Sequence, residues 1–117
     1  MEPSMKIAFK HQAIEKNNSP MCSVTEYALN HPMLDLAIAT VSGRYPDNRR
    51  VVNQQCDELA FVFEGEGKIV INHEEHKISS GDVILIEAGE TYFWEGNMKL
   101  FMTCRPAWSL AQHQMVD

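Results

Sequence analysis

The chain predicts an all-β fold, a sandwich or a closed barrel, and three features carry that expectation. Turn signals recur every few residues: Asn17-Asn18-Ser19-Pro20, Asn30-His31-Pro32, Gly43 to Asn48, Gly65-Glu66-Gly67, Ser79 to Asp82, Ala88-Gly89 and Gly96-Asn97. The runs between them are short and rich in Val, Ile, Phe and Tyr, the residues that suit a pleated, half-buried surface. Helical periodicity is nearly absent until the last residues.

The elements follow in order. Leu34 to Val41 carries large apolar residues at every second position, so one face is expected to be buried. Glu58 to Phe63 is apolar at nearly every residue after the glutamate, so both faces are expected to be covered. Lys68 to Asn72 and His76 to Ser79 flank a polar turn and read as a hairpin. Val83 to Ile86 is a short buried strand, and Thr91 to Trp94 with Lys99 to Cys104 form a last pair. Ser109 stands three residues before Gln112, a spacing that predicts a capped short helix over Leu110 to Val116. A β-rich chain must hide its strand edges, by closure or by pairing with a second copy.

The 117 residues suffice for one domain, 1–117, without a linker or an internal repeat. Hydrophobic residues at 44% and charged residues at 22% are ordinary for a globular protein with a real core. A net charge of -6, with dispersed basic residues, argues against a nucleic-acid backbone as partner. The one basic cluster, Arg44 with Arg49 and Arg50, reads as a solvated loop, with an anionic-ligand contact as the alternative. No run reaches the roughly 18 apolar residues of a membrane span, and the first 16 residues lack the apolar stretch of a secretory leader. Cys22, Cys56 and Cys104 are odd in number and show no CxxC spacing, so a reducing cytoplasm is the expected home.

Two segments carry a resemblance. Asp57 to Gly67, DELAFVFEGEG, and Gly81 to Gly89, GDVILIEAG, resemble the two motifs of the cupin superfamily. Glu58 and Gly65 have the glutamate-to-glycine spacing of the first motif. Gly81-Asp82 opens the second, and Glu87 stands where the family usually has proline. The closing Arg105-Pro106-Ala107-Trp108 is similar to the exit of small single-domain cupins. The resemblance spans roughly 34–108 and implies a double-stranded β-helix, a jelly-roll barrel, with Gly65 to Gly67 as a tight turn where the chain reverses. It also implies a homodimer.

Cupin metals usually take three imidazoles and one carboxylate. Here the His-x-His pair falls on Val51 and Asn53, or on Val52 and Gln54, and the third histidine falls on Tyr92; only Glu58 remains. A lone carboxylate is a poor transition-metal site, so no metal and no cofactor are expected. His73 and His76 bracket Glu74-Glu75, but Asn72-His73 reads as an exposed hairpin tip. His11, His31 and His113 lie in outlying segments without partner spacing and read as surface residues. Cys56 shares a strand face with Glu58, so a Cys56, Glu58, Tyr92 constellation is conceivable, though buried cysteine usually behaves as a small hydrophobe.

The resemblance places Glu58 inside the barrel. Its period-two neighbours Ala60 and Val62 share that face, as Tyr92 and Trp94 share theirs. Asn53 or Gln55 is expected at the mouth. The expected site is a pocket with apolar walls and few polar groups, holding a carbohydrate or carboxylate-like ligand. The plainer alternative has Glu58 held by the Tyr92 hydroxyl or by Arg105, with no ligand. A metal-independent sugar epimerase or isomerase using Glu58 and Tyr92 is the enzymatic alternative. A metal-dependent dioxygenase fits the ligand set least.

Overall fold

The computed structural model describes residues 6–117. Of the N-terminal stretch read above for a leader, residues 1–5 lie outside the described residues. Among the described residues nine strands make one strongly curled antiparallel sheet: β1 (Ile14–Ser19), β2 (Cys22–Glu26), β3 (Ala37–Tyr45), β4 (Arg50–Asn53), β5 (Asp57–Ile71), β6 (Glu74–Ser79), β7 (Val83–Ile86), β8 (Thr91–Arg105) and β9 (His113–Val116). The main path runs β1-β2-β3-β8-β4-β9, and β5 joins β6 and β7 to β8. The β1–β2 hairpin and β9 thus extend the barrel beyond the span of the two motifs.

The two long strands organise this sheet. β5 and β8 pair from Asp57 opposite Arg105 to Ile71 opposite Tyr92, with a shift between Val62 and Glu64. The expected reversal at Gly65 to Gly67 does not occur: the chain bends there and continues as one strand. The two pieces expected at Thr91 and Lys99 are likewise one strand. The glycines make the bend possible because the two backbones touch at it. A Cβ on Gly96 would stand 2.4 Å from Gly67 Cα, and one on Gly67 would stand 2.3 Å from the Glu95 carbonyl oxygen. Glycine alone permits that approach. The real reversal is one hairpin later, where Asn72 and His73 both take positive φ at an exposed two-residue tip.

The core lies between the walls of the barrel. Val51, Ala60, Val62, Ile69, Ile86 and Leu100 are among its fully enclosed side chains. In β3 the buried face is the opposite of the one expected: Ala39, Val41 and Tyr45 are buried and Ile38 is only half-buried, while Leu34 and Leu36 precede the strand and lie exposed at the edge of the cavity. Ala39, Val41 and Tyr45 line the cavity from β3. The outward face of β5 is also bare, with Leu59 and Phe61 exposed rather than covered.

The expected C-terminal helix is a single 3-10 turn, Leu110–Gln112, followed by β9. Ser109 makes no side-chain cap bond. The residues after the turn pair with β4 instead, Asn53 opposite His113 and Arg50 opposite Val116, and that pairing outweighs a weak local helix signal. No helix among the described residues is long and apolar enough to cross a membrane.

Candidate functional site

A cavity of about 480 Å³ opens at one end of the barrel. That is within the usual range for a small organic ligand. Its deep wall carries Tyr45, Glu58, Tyr92, Trp94 and Cys104, from β3, β5 and β8, with His113 from the start of β9. The loop between β2 and β3 and the segment Ala107 to Leu110 form its mouth. Asp35 ties these two together. Its carboxylate accepts from the Cys104 amide at 2.8 Å and the Trp108 amide at 2.9 Å, and the Ala107 amide donates to the Pro32 carbonyl at 3.0 Å.

A chain of hydrogen bonds fixes the orientation of each polar group, starting from backbone donors whose identity is unambiguous. The amides of Gln55 and Cys56 donate to one atom of Gln112, at 3.0 and 3.3 Å, so that atom is its carbonyl Oε1. Gln112 Nε2 then faces Asn53 at 3.3 Å, which makes the Asn53 atom there the acceptor Oδ1. Asn53 Oδ1 also meets His113 Nδ1 at 2.7 Å, so Nδ1 carries a proton. Burial holds the His113 pKa below its ordinary value, so the ring is neutral and Nε2 is an acceptor. The Tyr45 hydroxyl donates to it at 2.9 Å. On the other side, Asn53 Nδ2 donates to Glu58 Oε1 at 3.4 Å and to the Tyr92 oxygen at 3.2 Å.

Glu58 ends the chain. Oε1 also faces the Cys104 thiol at 3.7 Å, whereas Oε2 is buried and has no hydrogen-bond partner among the described residues. Burial is the main force on this carboxyl and pushes its pKa up to about 7, against the smaller opposing effect of the Asn53 and Cys104 hydrogen bonds. Its neighbours stay protonated. Burial, then the charge on Glu58, raises Cys22 to about 11. Burial raises Tyr45 to about 12 and holds Tyr92 well above the usual phenol range. Cys104, hydrogen-bonded to the Cys56 thiol and buried, is also raised.

The sequence-expected residues divide into three groups. Glu58, Tyr92 and Trp94 line the cavity. Asn53 is buried behind its wall as the hub of the network, not at the mouth. Ala60 and Val62 share the Glu58 face, as the period predicts, but fill the core and do not reach the cavity. Gln55 is exposed, and only its backbone amide serves the site. Arg105 is exposed and does not hold Glu58; Asn53 and Cys104 do. Cys56 is fully buried, and the thiol that reaches Glu58 is that of Cys104. His113, expected on the surface, is half-buried between Tyr45 and Asn53, and no site role is expected from the sequence for Tyr45 or for Gln112, which it offers only as part of a helix cap. The basic cluster lies outside the cavity: Arg44 stacks over Phe93 at 3.8 Å, and Arg50 meets His73 at 3.0 Å.

The barrel's likeness to solved structures is extensive. Pac13 from Streptomyces, a nucleoside dehydratase, superposes in its uridine-bound form with a TM-score of 0.87 at 17% identity, over 97% of this chain and 92% of that one. KdgF from Halomonas gives 0.69 at 15% identity, over 91% and 97%. The chain has the cupin fold. Salicylate 1,2-dioxygenase from Pseudoaminobacter salicylatoxidans shares this cupin barrel with a TM-score of 0.71 at 18% identity, over 85% of this chain and 30% of that one. No family model and no curated protein matches the sequence.

The metal site usual in cupins does not fit these residues. At the corresponding positions stand an amide, a phenol and one carboxylate, and the amide nitrogen already points at that carboxylate. Among the described residues, no three His, Cys, Asp or Glu side chains converge as ligands.

Proposed function

We propose that this cupin barrel binds a neutral, hydroxyl-bearing small molecule of sugar or nucleoside size. One observation carries the reading: Glu58 Oε2 is a buried carboxylate oxygen without a partner, on the wall of a cavity of about 480 Å³. Such an oxygen costs free energy until something donates to it. The geometry favours a neutral ligand over a carboxylate-like one. Among the described residues no guanidinium lines the cavity, and Lys16 at its rim is paired with Glu26 at 2.9 Å. An anion would face Glu58 without a counter-charge. The uridine bound by Pac13 is a molecule of the proposed class. Isothermal titration with uridine and D-ribose tests this: saturable heats with wild type that vanish in Glu58→Ala are expected, and no binding of either at millimolar concentration would overturn the proposal.

A second reading is favoured by the Glu58 pKa of about 7. A carboxyl poised there exchanges protons at neutral pH, as a general acid or base must. A metal-independent epimerase, isomerase or dehydratase would use it, with Tyr92 as a proton donor. Turnover of a hydroxy-carbonyl sugar that disappears in Glu58→Gln would establish this reading, and inertness toward D-ribulose and D-xylulose would count against it.

We further propose a homodimer. Leu59, Phe61, Val83, Leu85 and Phe101 are exposed neighbours on the outer face of β5, β7 and β8, and Phe63 stacks on Phe101 at 4.3 Å. The patch lacks charge, and its ends carry both signs, Asp57 opposite Arg105 and Lys99 near Glu64. A two-fold related copy would set opposite charges against each other, which suits a second copy of an otherwise acidic chain. The three cysteines are free, in keeping with the proposed cytoplasmic home.

A further inference from the structure

We infer that the pocket reads a pair of hydroxyl groups on its ligand, through the ionised Glu58 carboxylate as one acceptor, a phenol oxygen whose accepting direction the protein has already fixed, and one phenol donor. This rests on the proposed binding of a neutral hydroxylated molecule and adds what part of it is recognised.

The two acceptors are Glu58 Oε2 and the Tyr45 oxygen. Glu58 Oε1 is occupied by Asn53 and Cys104, so Oε2 is the oxygen left for a ligand. The Tyr45 proton is committed to His113 Nε2. Its oxygen can therefore only accept from a ligand, since a phenol has one proton to give. The donor is Tyr92, whose oxygen accepts from Asn53 Nδ2 and whose own proton is uncommitted. All three residues line the same cavity.

Glu58 Oε2 accepts in the ionised form of the carboxyl, and the direction of Tyr45 is not free to reverse. Tyr45 donates because His113 Nε2 accepts, and Nε2 accepts because Nδ1 gives its proton to Asn53. Asn53 is held by Gln112, and Gln112 is held by two backbone amides that cannot change role. A ligand must then supply two donors and one acceptor. Two hydroxyls do so, each donating once and one also accepting, as in the diol of a ribose. A ligand without them leaves a buried carboxylate oxygen and a buried phenol oxygen unmatched, which is the condition under which a site discriminates most strongly.

The test is isothermal titration of the full chain with uridine, D-ribose and 2′,3′-dideoxyuridine. Uridine is expected to bind at least tenfold more tightly than the dideoxy analogue. In Glu58→Gln and in Tyr45→Phe that ratio is expected to shrink at least threefold, with melting curves reporting that each variant is folded. Uridine and dideoxyuridine binding within twofold of each other would overturn the diol inference and leave the binding proposal standing. Failure of both uridine and D-ribose would overturn the binding proposal and this inference with it. A ligand-free measurement covers the case of a variant that does not fold. Two-bond nitrogen–proton NMR of wild type should show His113 protonated at Nδ1 with Nε2 bare, and the opposite tautomer would overturn the inference.

Discussion

Replacing Glu58 by glutamine should make the protein more stable at alkaline pH and leave its stability almost unchanged at acid pH. Glutamine keeps the shape, and its Oε1 can accept from Asn53 and Cys104 as Glu58 Oε1 does. What it removes is a buried charge. The Glu58 pKa lies at about 7 in the folded chain against an ordinary 4.5. A raised carboxyl pKa means that the folded state holds the proton more tightly than the unfolded state. Wild-type stability is therefore fully present below about 4.5 and falls as pH rises through about 7. At 1.36 kcal/mol per unit, the shift is worth roughly 3 kcal/mol at pH 8.5. With a urea m-value of roughly 1.5 kcal/mol per molar, that is about 2 M in the denaturation midpoint. The assay is urea unfolding by tryptophan fluorescence, wild type beside Glu58→Gln, from pH 4 to pH 8.5. A constant offset between them reports the packing of the amide nitrogen at the Oε2 position. Only the widening of the gap reports the charge, because all other titrating groups are common to both proteins. Parallel profiles across that range would refute the argument that Glu58 is held in an environment hostile to its ionised form.

Gly96→Ala should cost about 3 kcal/mol or more, read as a melting-temperature drop, since the new methyl meets Gly67 Cα at 2.4 Å in a residue with φ of +146; Gly81→Ala, with φ of +99 and nothing within 4 Å of its Cβ, should carry the backbone strain without the clash and cost less. Asp35→Ala should lose about 2 kcal/mol, because two backbone amides lose a charged acceptor, and limited proteolysis should then cut between β2 and β3. Phe61→Glu should convert a dimer into a single species of 13.3 kDa by light scattering; a wild type already at that mass would end the dimer proposal.

The sequence spoke most clearly where structure is local. The turn at Asn72-His73, the strand Val83–Ile86 and the inward Glu58 each follow from neighbouring residues and the period of two. Gly65 and Gly67 carried a true signal with the wrong cause. They look like a turn, but their purpose is a contact with Glu95 to Met98, about thirty residues away in the chain, which no local pattern reveals. The phase of β3 does not follow from Leu34 and Leu36, because they precede the strand and lie at the cavity's edge, while Ala39 and Val41 carry its buried face. Tyr45 was within reach, since Ala39, Val41 and Tyr45 repeat with period two on one face. His113 and Gln112 were not. Their roles come from β9 pairing with β4, a long-range contact between short strands with weak local preference.

That pairing has a kinetic side. Among the described residues β9 lies at the edge of the sheet and pairs only with β4, over four residues. Edge strands with so few partners open first in native-state fluctuations. When β9 lifts, Gln112 and His113 leave together, and Asn53, Tyr45 and Glu58 lose the restraints that aim them. An edge seam of the barrel thus holds the orientation of its deepest groups. Occupancy of the pocket and amide-exchange protection along β4 and β9 are two readings of one equilibrium, and each should rise with the other.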